Sequence, residues 1–204
     1  LTFVHNIESM QELVNHLFQE HQKVTELTFN QCASALGKAA DLCLHALQNG
    51  HRIWLFGNGG SAADALHLAA EFTGRYQLSR KGLPAVALTS DPAALTSIGN
   101  DFGFDMVFSR QVEALCLPGD VCIGFSTSGN SKNVLCGLEK ARILGAKTIG
   151  FTGKSGGDMP ELCDVCLLVP AQVTSRIQEM HLLLGHTLVE LIETSLFPAE
   201  KSKD

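Results

Sequence analysis

The sequence predicts an α/β fold, a flavodoxin-like parallel five-stranded sheet flanked by helices, with a long N-terminal helical arm. Two patterns predict it. After residue 50, five short apolar runs alternate with amphipathic helical stretches. Strands that are apolar on both faces and separated by helices are typical of a parallel sheet covered on both sides. We expect the strand order 2-1-3-4-5, with ligands bound beyond the carboxyl ends of the strands.

The arm is the first element in the chain. Residues 8–48 show helical periodicity, and Asn49-Gly50 is a natural helix stop. About 40 helical residues are too long to pack on one small sheet. We therefore expect residues 1–50 to bury a second face against another subunit.

The α/β core follows, over residues 51–197, and together with the arm it forms a single domain of residues 1–204. Its predicted strands are 52–57, 84–89, 120–126, 147–153 and 164–170. Its predicted helices are 61–74, 92–99, 105–115, 131–144 and 174–196.

Composition limits the partners. Fifteen Lys and Arg against 21 Asp and Glu give a net charge of −6, which disfavours a nucleic-acid partner. No apolar run is long enough for a membrane span, so the expected location is the cytoplasm. Six of the seven cysteines adjoin apolar runs, as reduced buried thiols do. Cys163 and Cys166 form a C-x-x-C pair without a second pair, so a metal or redox role is disfavoured.

A glycine-rich loop follows the first strand. The sequence "GNGGSA", residues 57–62, formally fits the dinucleotide fingerprint G-x-G-x-x-A. That fingerprint also requires an acidic residue about 20 positions further on. Asp91 is about 30 positions away, so a nucleotide-binding function is only weakly supported.

A second loop, "STSGNS" at residues 126–131, follows the third strand. Its four hydroxyl groups stand at the expected start of a helix, where free N–H groups and the helix dipole favour an anion. A serine-rich turn with an N-cap serine is the simpler interpretation. Because strands 1 and 3 are neighbours in the expected order, both loops face one cleft, which favours phosphate binding.

Two helices carry polar groups with metal-ligand or acid/base chemistry. His67 and Glu71 are one turn apart and share a helix face, as an ordinary surface pair also would. Gln178 and His186 lie on one broad face of an otherwise apolar last helix. Buried polar groups require partners, and these four side chains could supply the ligands of one zinc ion.

Four motifs in order, "GNGGSAADALH", "GNDFGF", "STSGNS" and "SRIQEMH", resemble the SIS-domain family and specifically the phosphoheptose isomerases. The resemblance covers nearly the whole chain. It implies interconversion of sedoheptulose 7-phosphate and D-glycero-D-manno-heptose 7-phosphate in lipopolysaccharide precursor synthesis, by a homotetramer whose subunits share active sites. It implies Glu71 and His186 as the acid/base pair. The implied zinc ligands are His67, Glu71, Gln178 and His186. The implied substrate contacts are Asn58, Gly59, Gly60, Glu71, Asn100, Asp101, Ser126, Thr127, Ser128, Ser131 and Gln178.

Three points stay open at this level. Asp101 could instead be an N-cap for the following turn. His181 matches a position without a catalytic role, which favours a structural one. Ser175 stands where some relatives carry Asp, which affects the prediction of the substrate.

The main alternative is a non-catalytic SIS-domain adaptor that binds a replication initiator protein. "RIQEMH" and the ending "LFP" look like that branch. A binding protein has no need of both Glu71 and His186, and the chain has both, so the enzyme is favoured. A dinucleotide enzyme ranks third.

Overall fold

The computed structural model of the protein describes residues 9–198. An all-parallel five-stranded sheet forms its centre, in the order β2-β1-β3-β4-β5. The predicted fold class and strand order are therefore confirmed. The strands are β1 Ile53–Gly57, β2 Ala85–Ala87, β3 Val121–Ser126, β4 Lys147–Gly153 and β5 Val165–Val169.

Six α-helices connect and flank the strands of the described part of the chain. They are α1 Met10–Gln48, α2 Gly60–Thr73, α3 Pro92–Phe102, α4 Ser109–Leu115, α5 Lys132–Ile143 and α6 Thr174–Leu196. The first helix begins with a capping box, in which the Ser9 hydroxyl accepts from the Glu12 N–H and the Glu12 carboxylate accepts from the Ser9 N–H. The division into a single domain with an arm stays a prediction, since residues 1–8 and 199–204 lie outside the described part.

One helix prediction was wrong. Instead of one helix over 105–115, the chain forms a 3₁₀ turn at Phe104–Met106 and then α4. The preceding helix α3 also runs on to Phe102 rather than stopping at residue 99. Gly103 ends it with a φ of +87°, a left-handed conformation that glycine adopts readily. Gly103 therefore separates α3 from the 3₁₀ turn, and Val107 and Phe108 separate the 3₁₀ turn from α4.

The sheet separates two apolar layers. Alternate strand side chains such as Leu55 and Ile123 pack with α1, α2 and α6 on one face. Trp54 and Phe56 point to the other face and pack with α4 and α5. Consequently α2 and α6, the helices that carry the predicted acid/base residues, lie side by side on the same face.

The long first helix is only partly covered. Its buried side packs on α6 and β5, whereas Phe18 and Phe29 are each more than two-thirds exposed. Within residues 9–198, no helix combines the length and the apolar character that crossing a bilayer requires.

Candidate active site

Two polar loops lie together at the carboxyl end of the sheet. The first follows β1 and the second follows β3, and these strands pair in parallel with Gly57 opposite Phe125. Parallel strands present their carboxyl ends at the same edge, where open α/β sheets bind ligands. The two loops therefore lie at the same edge of the sheet, as the strand order predicts.

The first loop is shaped by glycine. Gly59 has a φ of +56° and stands at the N-cap of α2 without a side chain to fill the space above it. Beside it, the side-chain amides of Asn58 and Asn133 exchange two hydrogen bonds of 2.8 and 2.9 Å. Because its amide is engaged in this way, Asn58 links the first loop to α5.

The second loop turns its hydroxyl groups toward one another. The Ser126 and Ser131 hydroxyl oxygens are 2.8 Å apart, and those of Ser126 and Ser128 are 3.5 Å apart. Ser131 occupies the N-cap of α5, yet its side chain makes no capping bond. The simpler interpretation, a capping serine, is therefore wrong for this residue. Thr127 lies half-buried in the same turn, so the four predicted hydroxyls do share one loop.

His67, Glu71 and His186 come together from α2 and α6. The two histidine Nε2 atoms are 2.8 Å apart, and His67 Nε2 is 3.6 Å from a Glu71 carboxylate oxygen. One ligand atom from each residue lies within 4.8 Å of the others. In the described part of the chain, this is the one group of three or more His, Cys, Asp or Glu side chains with that geometry. Imidazole nitrogens and a carboxylate are suitable donors for zinc.

Gln178 lies elsewhere along the same pair of helices. A β-carbon added at Gly60 would stand 2.5 Å from its amide nitrogen, so the Gln178 amide rests against the start of α2. His67 is seven residues further along α2, which corresponds to about 10 Å of helix. This position beside the first loop suits a substrate contact, whereas ligation of the same ion as His67 requires the Gln178 side chain to turn along the helices.

Two neighbours of this group were missed from the sequence. Asp64, one turn before His67, has a carboxylate oxygen that is buried without a hydrogen-bond partner. Burial raises the pKa of Asp64 to about 6, while the His67 imidazole acts in the opposite direction. Tyr76 stacks on His186 with ring centroids 5.7 Å apart. The helical spacing of Asp64 and His67 could have revealed the first, but nothing in the local sequence indicates the second.

Asn100 and Asp101 lie in the last turn of α3 rather than in a loop. Both are exposed, and the Asn100 amide donates to the Asp101 carboxylate at 2.8 Å. Asp101 caps no turn, because Gly103 holds the N-cap of the following 3₁₀ turn. Just beyond that cap, Asp105 pairs with Lys132 at 2.7 Å, so this segment contacts the start of α5 behind the second loop.

His181 lies apart from the group, in the core. It is completely buried beside Phe125 and Phe151, and its Nε2 is 3.2 Å from the Thr152 carbonyl oxygen. Burial lowers the pKa of His181 to about 4, although the Thr152 carbonyl opposes the shift. These surroundings keep the ring neutral, as the expected structural role requires.

Comparison with known proteins identifies the family. The SIS-domain model matches residues 16–153. The phosphoheptose isomerase of Aliarcobacter butzleri is 55% identical over 88% of this chain and 95% of its own length. That of Aquifex aeolicus is 50% identical over 90% and 96%. The solved phosphoheptose isomerase of Neisseria gonorrhoeae superposes with a TM-score of 0.87 at 44% identity, over 91% of this chain and all of that one.

The chain belongs to the phosphoheptose isomerase family. It is thus an enzyme of the isomerase class with the SIS fold, and the resemblance drawn from its four motifs is confirmed. The relatives match over almost their full length. The initiator-binding adaptor is not favoured by these matches.

Proposed function

We propose that this protein interconverts sedoheptulose 7-phosphate and D-glycero-D-manno-heptose 7-phosphate. The observation that carries the proposal is the meeting of Glu71 and His186 from two helices, beside two loops suited to a sugar phosphate. Family membership supports the same reaction.

The reaction moves one carbon-bound proton and one oxygen-bound proton. From the ketose, the Glu71 carboxylate removes a proton from C1 and returns it to C2. Loss of the C1 proton leaves an enediolate with its charge on the C2 oxygen. His186 takes the proton of the C1 hydroxyl and gives it to the C2 oxygen, and return of the carbon-bound proton to C2 then leaves the aldehyde at C1. A carboxylate and an imidazole are suitable acid/base groups for these two transfers.

The loops hold the two ends of the open-chain sugar. Hydroxyls of Ser126, Thr127, Ser128 and Ser131, with the N-terminus of α5, bind the phosphate. The backbone of Asn58, Gly59 and Gly60 contacts the sugar, and Gln178, Asn100 and Asp101 complete the proposed substrate contacts. Binding energy from the phosphate fixes the reacting end, so a seven-carbon chain spans from the serine loop to Glu71.

Zinc is the proposed metal. His67, Glu71 and His186 supply three suitable donors, and Gln178 is the proposed fourth. When bound, zinc would polarise or orient the sugar oxygens next to the carbon that loses its proton.

We place the enzyme in the cytoplasm as a homotetramer that supplies heptose for lipopolysaccharide precursors. The uncovered apolar face of α1 supports assembly, because an exposed apolar face of this kind usually marks a subunit interface. The subunits would then share active sites, as the family resemblance implies.

The test is conversion of sedoheptulose 7-phosphate by the purified protein, with and without a zinc chelator. We expect aldose product, and less of it after chelation. No product in either sample would contradict the isomerase proposal. Full activity after complete metal removal, verified by metal analysis, would leave the isomerase intact and remove zinc from it.

A matched pair of variants tests the base. Glu71→Gln keeps the shape of the side chain but removes the proton acceptor, so kcat should fall about 10²- to 10⁴-fold with the fold retained. Glu190→Gln, at an exposed position of α6, should keep the parent rate. Unchanged turnover in Glu71→Gln would assign the base to another residue.

A further inference from the structure

A buried ion pair lies just behind the candidate active site. The Arg80 Nε donates to the Glu193 carboxylate at 2.6 Å, and the two side chains are only 1% and 2% exposed. The same carboxylate accepts three backbone N–H groups, from Tyr76, Gln77 and Leu78, at 2.8 to 3.2 Å. The Glu193 carboxylate is thereby fully engaged, and it ties residues 76–78 to α6.

The remaining N–H groups of the Arg80 guanidinium bind the end of α2. Arg80 Nη2 donates to the backbone carbonyl of Glu71 at 2.9 Å, and Nη1 donates to that of Phe72 at 3.0 Å. These are carbonyls of the last turn of α2, where the helix dipole favours a cation. A single side chain therefore joins the turn that carries Glu71 to the helix that carries His186.

The segment between the end of α2 and Arg80 places an aromatic ring against the site. Tyr76 is half-buried, and its ring stacks on the His186 imidazole at an interplanar angle of 27°. His186 also meets His67 edge-on at 5.0 Å between ring centroids. The imidazole of His186 thus contacts two rings, one of which is placed by the backbone bonds to Glu193.

We infer that Arg80, Glu193 and residues 74–79, here called the brace, position Tyr76 against His186 and so fix the imidazole for proton transfer. Tyr76, Arg80 and Glu193 are positioning residues in this assignment. The inference rests on the proposed function for its effect on rate, although the placement of the His186 ring can be measured without it.

A purely stabilising ion pair would not need this arrangement. Buried ion pairs are weak contributors to stability, because desolvation offsets much of their attraction. Here Arg80 also binds backbone carbonyls of α2, and Glu193 also binds backbone N–H groups of the brace. The ion pair therefore fixes the positions of α2, the brace and α6 relative to one another.

The first test compares Tyr76→Leu with Tyr76→Phe. Tyr76→Leu removes the stack, so kcat for sedoheptulose 7-phosphate should fall about 10- to 100-fold with KM nearly unchanged, because small misplacement of a catalytic group has effects of this size. Tyr76→Phe keeps the ring and should keep the parent kcat. Crystal structures of both should show His186 displaced only in Tyr76→Leu. Parent kcat in Tyr76→Leu together with an undisplaced His186 would overturn the inference.

The second test asks whether the ion pair acts through Tyr76. Glu193→Gln should lower kcat, and the double variant Glu193→Gln/Tyr76→Leu should lose no more than the larger single loss, since both act on one contact. Glu113→Gln, in the exposed pair with Arg110, is the matched control and should keep the parent kcat. Losses that multiply in the double variant would show separate effects and contradict the brace. Should Glu193→Gln fail to fold, the Tyr76 variants decide alone.

The two proposals fail differently. A parent protein without isomerase activity would reject the proposed function, and the position of His186 in the Tyr76 variants would still test the brace.

Discussion

At the scale of single residues, the site is made of groups whose ordinary local partners are absent or replaced. Ser131 stands at an N-cap but bonds Ser126 instead of the helix backbone. Asp64 keeps an oxygen buried and unpaired next to His67. A buried polar atom without a partner, such as this Asp64 oxygen, costs free energy unless a ligand or a neighbour satisfies it.

The second loop gives a residue-scale prediction. Ser128→Ala removes one hydroxyl donor to the phosphate, so KM for sedoheptulose 7-phosphate should rise about tenfold while kcat changes little, since a hydrogen bond to a charged group contributes about 1.5 kcal/mol or more. Steady-state kinetics measure both. Ser195→Ala, an exposed serine of α6, is the control. A parent KM in Ser128→Ala would show that the serine loop does not hold the phosphate.

His181 gives a prediction on pH. Its folded pKa is about 4 against an ordinary 6.5, so between these values the unfolded chain binds more protons. Stability from this residue is therefore complete above pH 6.5 and is lost as the pH falls toward 4, by roughly 3 kcal/mol. Urea unfolding at several pH values in this window should show that the free energy of unfolding falls less steeply with decreasing pH in His181→Gln than in the parent. Asp64 titrates in the same window and changes stability in the opposite direction. Because both proteins contain Asp64, its contribution cancels when their slopes are compared. Equal slopes would contradict the prediction.

At the scale of elements, the decisive contact is the close approach of α2 and α6. A β-carbon at Gly185 of α6 would collide with the buried side chain of Leu68 on α2. A β-carbon at Gly60 would meet only the end of the Gln178 side chain, which can turn aside. Gly185 is thus the glycine that lets the helices approach, and the His67 and His186 nitrogens are 2.8 Å apart.

Adding a methyl group at this contact tests its role. Gly185→Ala should push α6 away from α2, lowering the free energy of unfolding by about 1–3 kcal/mol through overpacking and lowering kcat as well. Gly37→Ala is the matched control, because no atom lies within 4 Å of its added β-carbon. That change should stabilise helix α1 by up to about 1 kcal/mol and leave kcat unchanged. Parent activity in Gly185→Ala would mean that the helix spacing tolerates the extra volume.

At the scale of the whole molecule, the described residues have a well-covered core, but one face of α1 leaves apolar side chains exposed. The two apolar layers cover both faces of the sheet, yet α1 leaves Phe18, Phe29 and several aliphatic side chains exposed. The net charge of −6 does not change this, because these side chains are themselves apolar. The proposed homotetramer would bury the arm.

The assembly can be disrupted at one position of the arm. Phe29→Glu places a charge on the exposed face of α1, so sedimentation velocity should show a smaller species than the parent tetramer, because burying an unpaired charge at an interface is unfavourable. Ile143→Glu makes the same change at an exposed apolar residue of α5 and should leave the assembly intact. A monomeric parent, or a tetrameric Phe29→Glu, would contradict the proposed use of the arm.

Much of the fold follows from local patterns. The strands, the long first helix and both loops were predictable, because apolar runs and helical spacing are patterns of neighbouring residues. The strand order followed from the fold class that these elements indicate. The error at 105–115 arose because the chain divides at Val107 and Phe108 into a 3₁₀ turn and α4, a division that hydrophobic spacing does not record. The predicted contacts of Asn100 and Asp101 stay predictions, since the structure places both on an exposed helix end.

The sequence by itself determined the sheet, its two loops at neighbouring strands and the candidate acid/base residues on two helices. Only the tertiary structure decided that His67 meets His186 across 119 positions and that Arg80 meets Glu193 across 113. It also placed Tyr76 on His186 and the Gln178 amide beside Gly60. The physical reason is that such contacts depend on how closely α2 and α6 pack, and that distance is set by side-chain volumes on elements far apart in the chain.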